Sequence, residues 1–511
     1  MHQYPLPLLH LLLFAGLLAS SRSLAAAPAD STSAEHAHLR YQLLHLSPFP
    51  ASMLHHEAPL QAADESLPWS HSAHDMFHGA SLTLKLVHRD SPFSPLRLYP
   101  HPNPPALLKD RLGRDAARAE ALSVRAQLAA NNVQKSDLVA EPVTYSLREE
   151  AITGFTGPLV SGLKQGSGEY FIRVGVGTPP RQVYMVVDTG SDILWMQCAP
   201  CVDCYEQVGP IFNPAFSSSY RRIACSSPMC RMLELHGCAS RSNVCIYQVA
   251  YGDGSFTEGE FSMEDVSFKG ATMENIAMGC GHDNEGLFAG AAGLFGLGGG
   301  ALSFPSQVGT QISRIFSYCL MDRDRDGASS LIFGQAGIPR GTMFTPLLRN
   351  PYLDTFYYVT LVGISVGGSM LTIPEEAFKM DVSGNGGVIV DSGTSVTRLV
   401  EVAYGPLRSA FREAMSGLPF AGGFSLFDTC YDLSGRGTVK VPLLSLHFEG
   451  GAEMVLPATN YVIPVDGQGT YCLAFASTAG GLSIIGNIQQ QGFRVVFDAV
   501  ASRLGFAANQ C

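Results

Sequence analysis

Apolar and polar residues alternate along Ser81-Leu82-Thr83-Leu84-Lys85-Leu86-Val87 and again along Tyr170-Phe171-Ile172-Arg173-Val174-Gly175-Val176, the period-two pattern of a strand with one buried face. After the second run, Gly177-Thr178-Pro179-Pro180 predicts a turn, and Val183 to Val187 a return strand that ends on Asp188. Phe356 to Val366 and Tyr461 to Val465 read the same way. Only two windows predict long helices. Pro105 to Ala130 is rich in Ala, Leu and Arg and closes on Asn131-Asn132, and Val402 to Met415 reads as a surface helix. Short β-branched runs separated by many of the 53 Gly predict an all-β body.

One element occurs twice. Met185-Val186-Val187 runs into Asp188-Thr189-Gly190-Ser191, and Val388-Ile389-Val390 runs into Asp391-Ser392-Gly393-Thr394, 203 residues later. In each, the apolar triple predicts a buried strand, and the Gly after the Asp lets the chain turn so that the carboxylate sits at the strand end. Gly293-Leu294-Phe295-Gly296-Leu297 and Ser483-Ile484-Ile485-Gly486-Asn487 follow, with Gly296 108 residues after Asp188 and Gly486 95 after Asp391. The two halves are therefore a duplication. Two carboxylates that share a site do not both ionise cheaply, so one proton is held between them, and one group acts as base while the other acts as acid.

On these residues the chain resembles the pepsin-like aspartic proteases, over roughly Gly168 to Cys511. The resemblance is closest to the atypical nepenthesin- and nucellin-like plant branch, and within it to the guard-cell aspartic proteases. It is carried by Gln165-Gly166-Ser167-Gly168-Glu169-Tyr170-Phe171, Tyr251-Gly252-Asp253-Gly254-Ser255-Phe256-Thr257, Gly279-Cys280-Gly281-His282-Asp283-Asn284-Glu285-Gly286 and Asn487-Ile488-Gln489-Gln490-Gln491-Gly492.

The resemblance implies a bilobal fold with the active site in the cleft between two β-rich lobes. It implies an endopeptidase in which Asp188 and Asp391 activate a water by general acid/base catalysis, with no metal and no cofactor. Ser191 and Thr394 would hold the outer carboxylate oxygens, and Thr189 and Ser392 would cross-brace the two loops. Tyr251 and Gly252 match the flap over the substrate, and Trp195 the residue that bonds the flap Tyr. Asn487 stands where many relatives carry Asp. Expected partners are protein or peptide substrates, pepstatin-type inhibitors and the chain's own pro-region, with the protein a monomer. The rival reading is a silent pepsin-like fold that binds or inhibits another protein, which loss of an Asp would mark; both are intact.

Composition adds the route. Leu8 to Ser20 is an apolar run of signal-peptide length, followed by the small-residue stretch Ser23-Leu24-Ala25-Ala26-Ala27. No later run is long and apolar enough for a membrane helix, so no membrane anchor is expected. All twelve Cys lie between Cys198 and Cys511, which fits an oxidising compartment, extracellular or within the secretory pathway. By resemblance Cys430 pairs with Cys472 and Cys319 with Cys511. The remaining eight, Cys198 to Cys280, have 105 pairings open to them, and Cys198-x-x-Cys201-x-x-Cys204 has zinc as an alternative. A net charge of −11, with no basic stripe, excludes nucleic acid as the expected partner.

These features predict a signal peptide over 1–26, a pro-region over 27–154, a first lobe with a cysteine-rich insertion over 155–338 and a second lobe over 339–511. By the same resemblance the pro-region is expected to add a strand to the enzyme's sheet and to screen the catalytic carboxylates with its basic residues, and carboxylates of the enzyme are expected to hold Lys85, Arg89 and other basic residues of the segment. Ten of the fifteen His lie between His36 and His101, and their protonation is expected to help release it.

Overall fold

The computed structural model describes residues 41–46, 81–91, 94, 104–131, 170–239, 242–251, 255–268, 271–286, 288, 290–321 and 329–511. The expected signal peptide, most of the His cluster and the expected flap residue Gly252 lie outside them.

The fold is the bilobal pepsin-like one, built almost wholly of strands. Each lobe carries the same parallel pair behind its Asp. Gly293–Gly296 runs parallel to Arg181–Asp188, with Gly296 opposite Asp188, and Ser483–Ile485 runs parallel to Val388–Val390. Gly293–Gly296, Val388–Val390 and Ser483–Ile485 are buried along their length and Arg181–Asp188 over Met185 to Asp188, as the apolar sequence there requires. The Gly after each apolar pair, Leu294-Phe295 and Ile484-Ile485, admits no side chain. A Cβ at Gly296 would lie 2.2 Å from the carbonyl oxygen of Asp192, and one at Gly486 2.5 Å from that of Ser395. Asp192 and Ser395 each stand four residues after the lobe's Asp, so the same backbone contact recurs.

Tyr170–Val176 is buried everywhere except Arg173. The alternation in its sequence is overridden because its two faces meet two cores. Tyr170, Ile172, Val174 and Val176 point into the large one, and Phe171 joins Trp195, Tyr247, Phe261 and Phe288 in the first-lobe one. The predicted strand over Phe356 to Val366 is two strands, Tyr358–Val359 and Leu361–Val366, which pair with different partners. The second predicted helix spans Glu401–Ala414, with Ala403, Tyr404, Leu407 and Phe411 buried at helical spacing.

A six-stranded sheet joins the lobes, in the order Leu82–His88, Ser329–Phe333, Ile315–Cys319, Phe493–Asp498, Arg503–Ala508 and Met343–Leu348. Phe316 stacks on Phe497 within it at 4.5 Å between ring centroids. Three segments that precede the first lobe are packed on this body. The first, β1 (Tyr41–His45), pairs with Thr438–Pro442 of the second lobe, where Leu44 is buried and Gln42 donates to the Tyr461 hydroxyl at 2.6 Å. The second, β2 (Leu82–His88), pairs with Ser329–Phe333 of the joining sheet and, at Val87 and His88, with Tyr170–Val176 of the first lobe, and is buried at every second residue from Leu82 to His88. The third, α1 (Pro104–Ala130), turns Leu107, Leu108, Leu112, Ala119, Leu122 and Ala126 inward.

All twelve Cys are paired: Cys198–Cys280, Cys201–Cys204, Cys225–Cys238, Cys230–Cys245, Cys319–Cys511 and Cys430–Cys472. The zinc alternative for Cys198, Cys201 and Cys204 is thereby excluded, since a disulfide sulfur has no thiolate to offer a metal. The four first-lobe bridges staple the insertion between Asp188 and Tyr251 to the long Ala271–Glu285 strand and to itself. Among the described residues no helix is long and apolar enough to cross a membrane.

Candidate active site

Asp188 and Asp391 end their strands at the junction of the lobes, and each is 1% exposed. The loops behind them are braced across the junction. The Thr189 hydroxyl accepts the Ser392 amide at 2.8 Å and donates to Asp391 Oδ1 at 3.1 Å, and the Thr189 amide donates to the Ser392 hydroxyl at 3.3 Å. Thr394 Oγ1 donates to Asp391 Oδ2 at 2.6 Å, and the Gly190 amide to Asp188 Oδ1 at 2.9 Å. Ser191 does not do for Asp188 what Thr394 does for Asp391. Its hydroxyl is buried and finds no hydrogen-bond partner among the described residues.

What engages both carboxylates is α1. Arg118 Nη2 reaches Asp188 Oδ1 at 2.5 Å and Asp391 Oδ1 at 3.0 Å, Nη1 reaches Asp188 Oδ2 at 3.4 Å, and Nε reaches Asp391 Oδ2 at 2.9 Å. One guanidinium therefore spans the carboxylate pair, as its planar fork allows and an ammonium would not. The glycines of both D-x-G turns leave room for it. A Cβ would lie 2.6 Å from the guanidinium at Gly190 and 2.3 Å from it at Gly393. Burial alone would raise the Asp391 pKa, yet the charge and hydrogen bonds of Arg118, with those from Thr394 and the Gly393 amide, outweigh it and hold Asp391 below the ordinary carboxylate value. Burial likewise acts to lower the pKa of Arg118, and the two carboxylates reverse that into a rise.

Two further contacts of α1 flank this plug. Asp115 is buried against Arg398 and the loop after Thr394. Arg125 donates to the Gly190 carbonyl at 3.2 Å and to Thr355 Oγ1 at 3.0 Å, pairs with Glu234, and lies over the Phe356 ring. The basic residue on the two carboxylates is thus Arg118. Lys85 lies on the exposed face of β2, and Arg89 sits near Asp90. The sequence did carry a signal: Asp115 falls on the face of α1 that holds Leu108, Leu112, Leu122 and Ala126, and Arg118 beside it, where a solvated charge would not be placed.

Trp195 Nε1 donates to the Tyr251 hydroxyl at 2.7 Å, and both rings pack edge-on against Phe288. Behind the second Asp, Gln490 Nε2 donates to the carbonyls of Asp391 and Ile485 at 3.1 and 2.8 Å, and Asn487 Nδ2 to that of Ser392 at 2.9 Å. These amides fix the backbone of the Asp391 loop and were not foreseen in that role. Asp192, next to the first loop, is pushed up to about 6 by burial, against the Arg125 charge and hydrogen bonds from Thr355 and Gly300. No cluster of His, Cys, Asp and Glu able to hold a metal occurs among the described residues.

Comparison with known proteins places this geometry. The chain is 54% identical to Aspartyl protease family protein 2 of Arabidopsis thaliana over 84% of its length and 86% of that protein's. It is 46% identical to ASPARTIC PROTEASE IN GUARD CELL 2 of the same plant, over 84% of this chain and 87% of that one. The chain belongs to the aspartyl protease family, in its nepenthesin-like plant branch. It is an aspartic peptidase. Nepenthesin-1 of Nepenthes gracilis is 39% identical over 71% of this chain and 83% of its own. Two family profiles match as well, Xylanase inhibitor N-terminal over residues 170–335 and Xylanase inhibitor C-terminal over 356–508. The crystal structure of edgp, 21% identical, superposes with a TM-score of 0.56 over 68% of this chain and 92% of that one, which speaks to the fold.

Proposed function

We propose that the protein is a secretory-pathway endopeptidase made as an inactive precursor, in which residues 27–154 hold the enzyme shut until acid releases them. The observation that carries this is the single Arg118 guanidinium bonded to both aspartates from a helix that precedes the first lobe. With Arg118 there, no water can be activated between the carboxylates. Once α1 leaves, the pair shares one proton. The ionised carboxylate takes a proton from the lytic water as it attacks the peptide carbonyl, the neutral one protonates the carbonyl oxygen, and the roles reverse as the amine departs. The Thr189 and Ser392 hydroxyls, with Thr394, keep the carboxylates in position. Tyr251, bonded to Trp195, closes over the substrate with Gly252 at the flap tip.

The inhibitor reading, which the names of the matched profiles favour, is weaker. A silent binding protein has no dyad activity to suppress, and a buried cation committed to both aspartates would serve nothing there. Six disulfides support an oxidising route, with the apoplast as the proposed destination and a monomer as the proposed state. The test is acid processing of the precursor with Asp188→Asn or Asp391→Asn. We expect both variants to fold, to stay unprocessed and to cleave no casein, whereas the parent is processed and is inhibited by pepstatin; pepstatin-sensitive cleavage by either variant would refute the assignment.

A further inference from the structure

The plug helix makes a second charged contact in the cleft. Asp115, three residues before Arg118, is 4% exposed. Its Oδ1 accepts hydrogen bonds from the backbone amides of Ser395 and Val396, the latter at 3.1 Å, and its Oδ2 accepts one from Arg398 Nη2 at 2.5 Å. Arg398 lies on the strand Thr397–Val400, which starts three residues after Thr394 of the second D-x-G loop. It is 5% exposed, and its Nε finds no partner among the described residues. Asp115 is the only ion-pair partner the described residues give it.

Three donors from the enzyme proper thus converge on one carboxylate of the segment that leaves. When α1 departs, Arg398 and the two amides remain, in a cleft, with nothing from the enzyme to replace Asp115. Buried donors left unpaired are costly, and a charged one most of all. The arrangement also selects an acceptor-only group: a guanidinium N–H and two consecutive amides surround a carboxylate on two sides, a geometry in which an amide side chain would set its NH₂ against a donor.

We propose that in the mature enzyme Arg398, with the Ser395 and Val396 amides, forms a substrate subsite for an Asp or Glu side chain. The proposal rests on the precursor reading above, with Asp115 as the stand-in for the substrate carboxylate. Residues three apart on a helix have Cβ atoms about 5–6 Å apart, and an extended peptide advances about 3.3 Å per residue, so the acidic residue lies about two residues from the scissile bond. In this role Arg398 is a specificity-determining residue.

The test uses the processed enzyme and quenched peptides in which Asp, or Asn as its neutral isostere, is walked through about three positions on each side of the scissile bond. At one position we expect kcat/KM for Asp to exceed that for Asn by roughly 10- to 100-fold at pH 5, the range for charge-assisted hydrogen bonds. The ratio should fall toward one near pH 3, where a free Asp, with its ordinary pKa of about 3.9, is protonated. Arg398→Gln should abolish the ratio, Arg398→Lys should keep part of it, and Arg398→Glu should turn it into a preference for Lys. Each ratio is taken within one variant, so a change in overall activity cancels. A parent enzyme with pepstatin-sensitive cleavage and an Asp/Asn ratio near one at every position overturns the inference and leaves the peptidase reading intact. So does an Arg398→Gln enzyme with an unchanged ratio. Should the variants fail to fold, the parent's own ratio and its pH dependence decide.

Discussion

Replacing Arg118 with Ala in the full-length precursor should open the enzyme without cleavage. Among the described residues the guanidinium is the only positive group bonded to Asp188 and Asp391, and it is buried with them. Removing one partner of a buried ion pair costs about 3–5 kcal/mol, because the remaining charges are left without compensation. The two pairs share one guanidinium, so that range is used once. At about 1.4 kcal/mol per tenfold, the undocked population should rise roughly 10²- to 10³·⁵-fold. The rest of α1 still docks, through Leu108, Leu112, Leu122, Ala126 and the Asp115–Arg398 pair, so the variant is expected to be leaky rather than fully open.

Acidity acts in a definite direction on this equilibrium. Docked against Arg118, Asp391 is held below its ordinary value, whereas the free dyad retains a shared proton. The undocked state therefore binds more protons, and docking weakens as pH falls. The contribution from Asp391 is present above the ordinary carboxylate pKa and is lost as pH drops through the lowered one. Arg118→Ala removes the depression, so its activation midpoint should move to higher pH, and Arg118→Lys, which keeps the charge without the fork, should fall between. The assay is turnover of a fluorogenic peptide at pH 6 with pepstatin controls, the precursor's integrity being followed by gel electrophoresis. An Arg118→Ala precursor as silent as the parent, with the same midpoint, would refute the plug.

Two other outcomes follow from the geometry. Burial, then the Asp283 charge, raises Glu258 to about 7, and burial raises Asp192 to about 6, so both favour the neutral carboxyl in the fold; the stability they contribute is complete below about pH 4 and is lost as pH rises through 6 to 7. For Asp192 this amounts to about 3 kcal/mol, so the full-length precursor's Tm should fall between pH 5 and 7.5 and Asp192→Asn should flatten the fall, while a level profile in the parent would contradict the assignment. Gly486→Ala should cost about 1–3 kcal/mol or more in thermal unfolding, since its Cβ would meet the Ser395 backbone at 2.5 Å, whereas Gly417→Ala, with nothing within 4 Å, serves as the control and should be near neutral.

The parts of this molecule that a reader finds in the sequence are those whose chemistry is local. Each D-x-G turn needs only its own apolar strand and its own Gly, and the two apolar-apolar-Gly strands that thread behind them announce themselves by the same logic. The helix over Pro105 to Ala130 was legible too, and α1 ends where Asn131 predicted. Which of its charges mattered was not. Asp115 and Arg118 differ from solvated helix charges only in what lies opposite them, and what lies opposite is more than 70 residues away in sequence for each contact except that of Arg118 with Asp188 at 70. The eight first-lobe cysteines had the same difficulty: pairings as near as Cys201–Cys204 and as far as Cys198–Cys280 coexist, and spacing alone does not rank them.

The duplication also explains where the plug can make its second contact. Four residues after the Asp of its D-x-G turn, the first lobe has Asp192 and the second has Ser395, and the carbonyl of each lies at the same close approach of a Gly. Their side chains then diverge. Asp192 is a buried carboxyl that draws in Arg125, the Thr355 hydroxyl and the Gly300 amide, all donors, so a second carboxylate brought there would be repelled. Ser395 leaves its amide, that of Val396 and the nearby Arg398 facing the cleft, which only an acceptor satisfies. A helix crossing both lobes must therefore present a cation to the first-lobe side and an anion to the second. Along α1 the order is Asp115, Arg118, Arg125: anion at the second lobe, cation over the dyad, cation at the first. On the precursor reading, a substrate that fills the same cleft would meet the same polarity, because those groups belong to the enzyme and would stay when α1 goes.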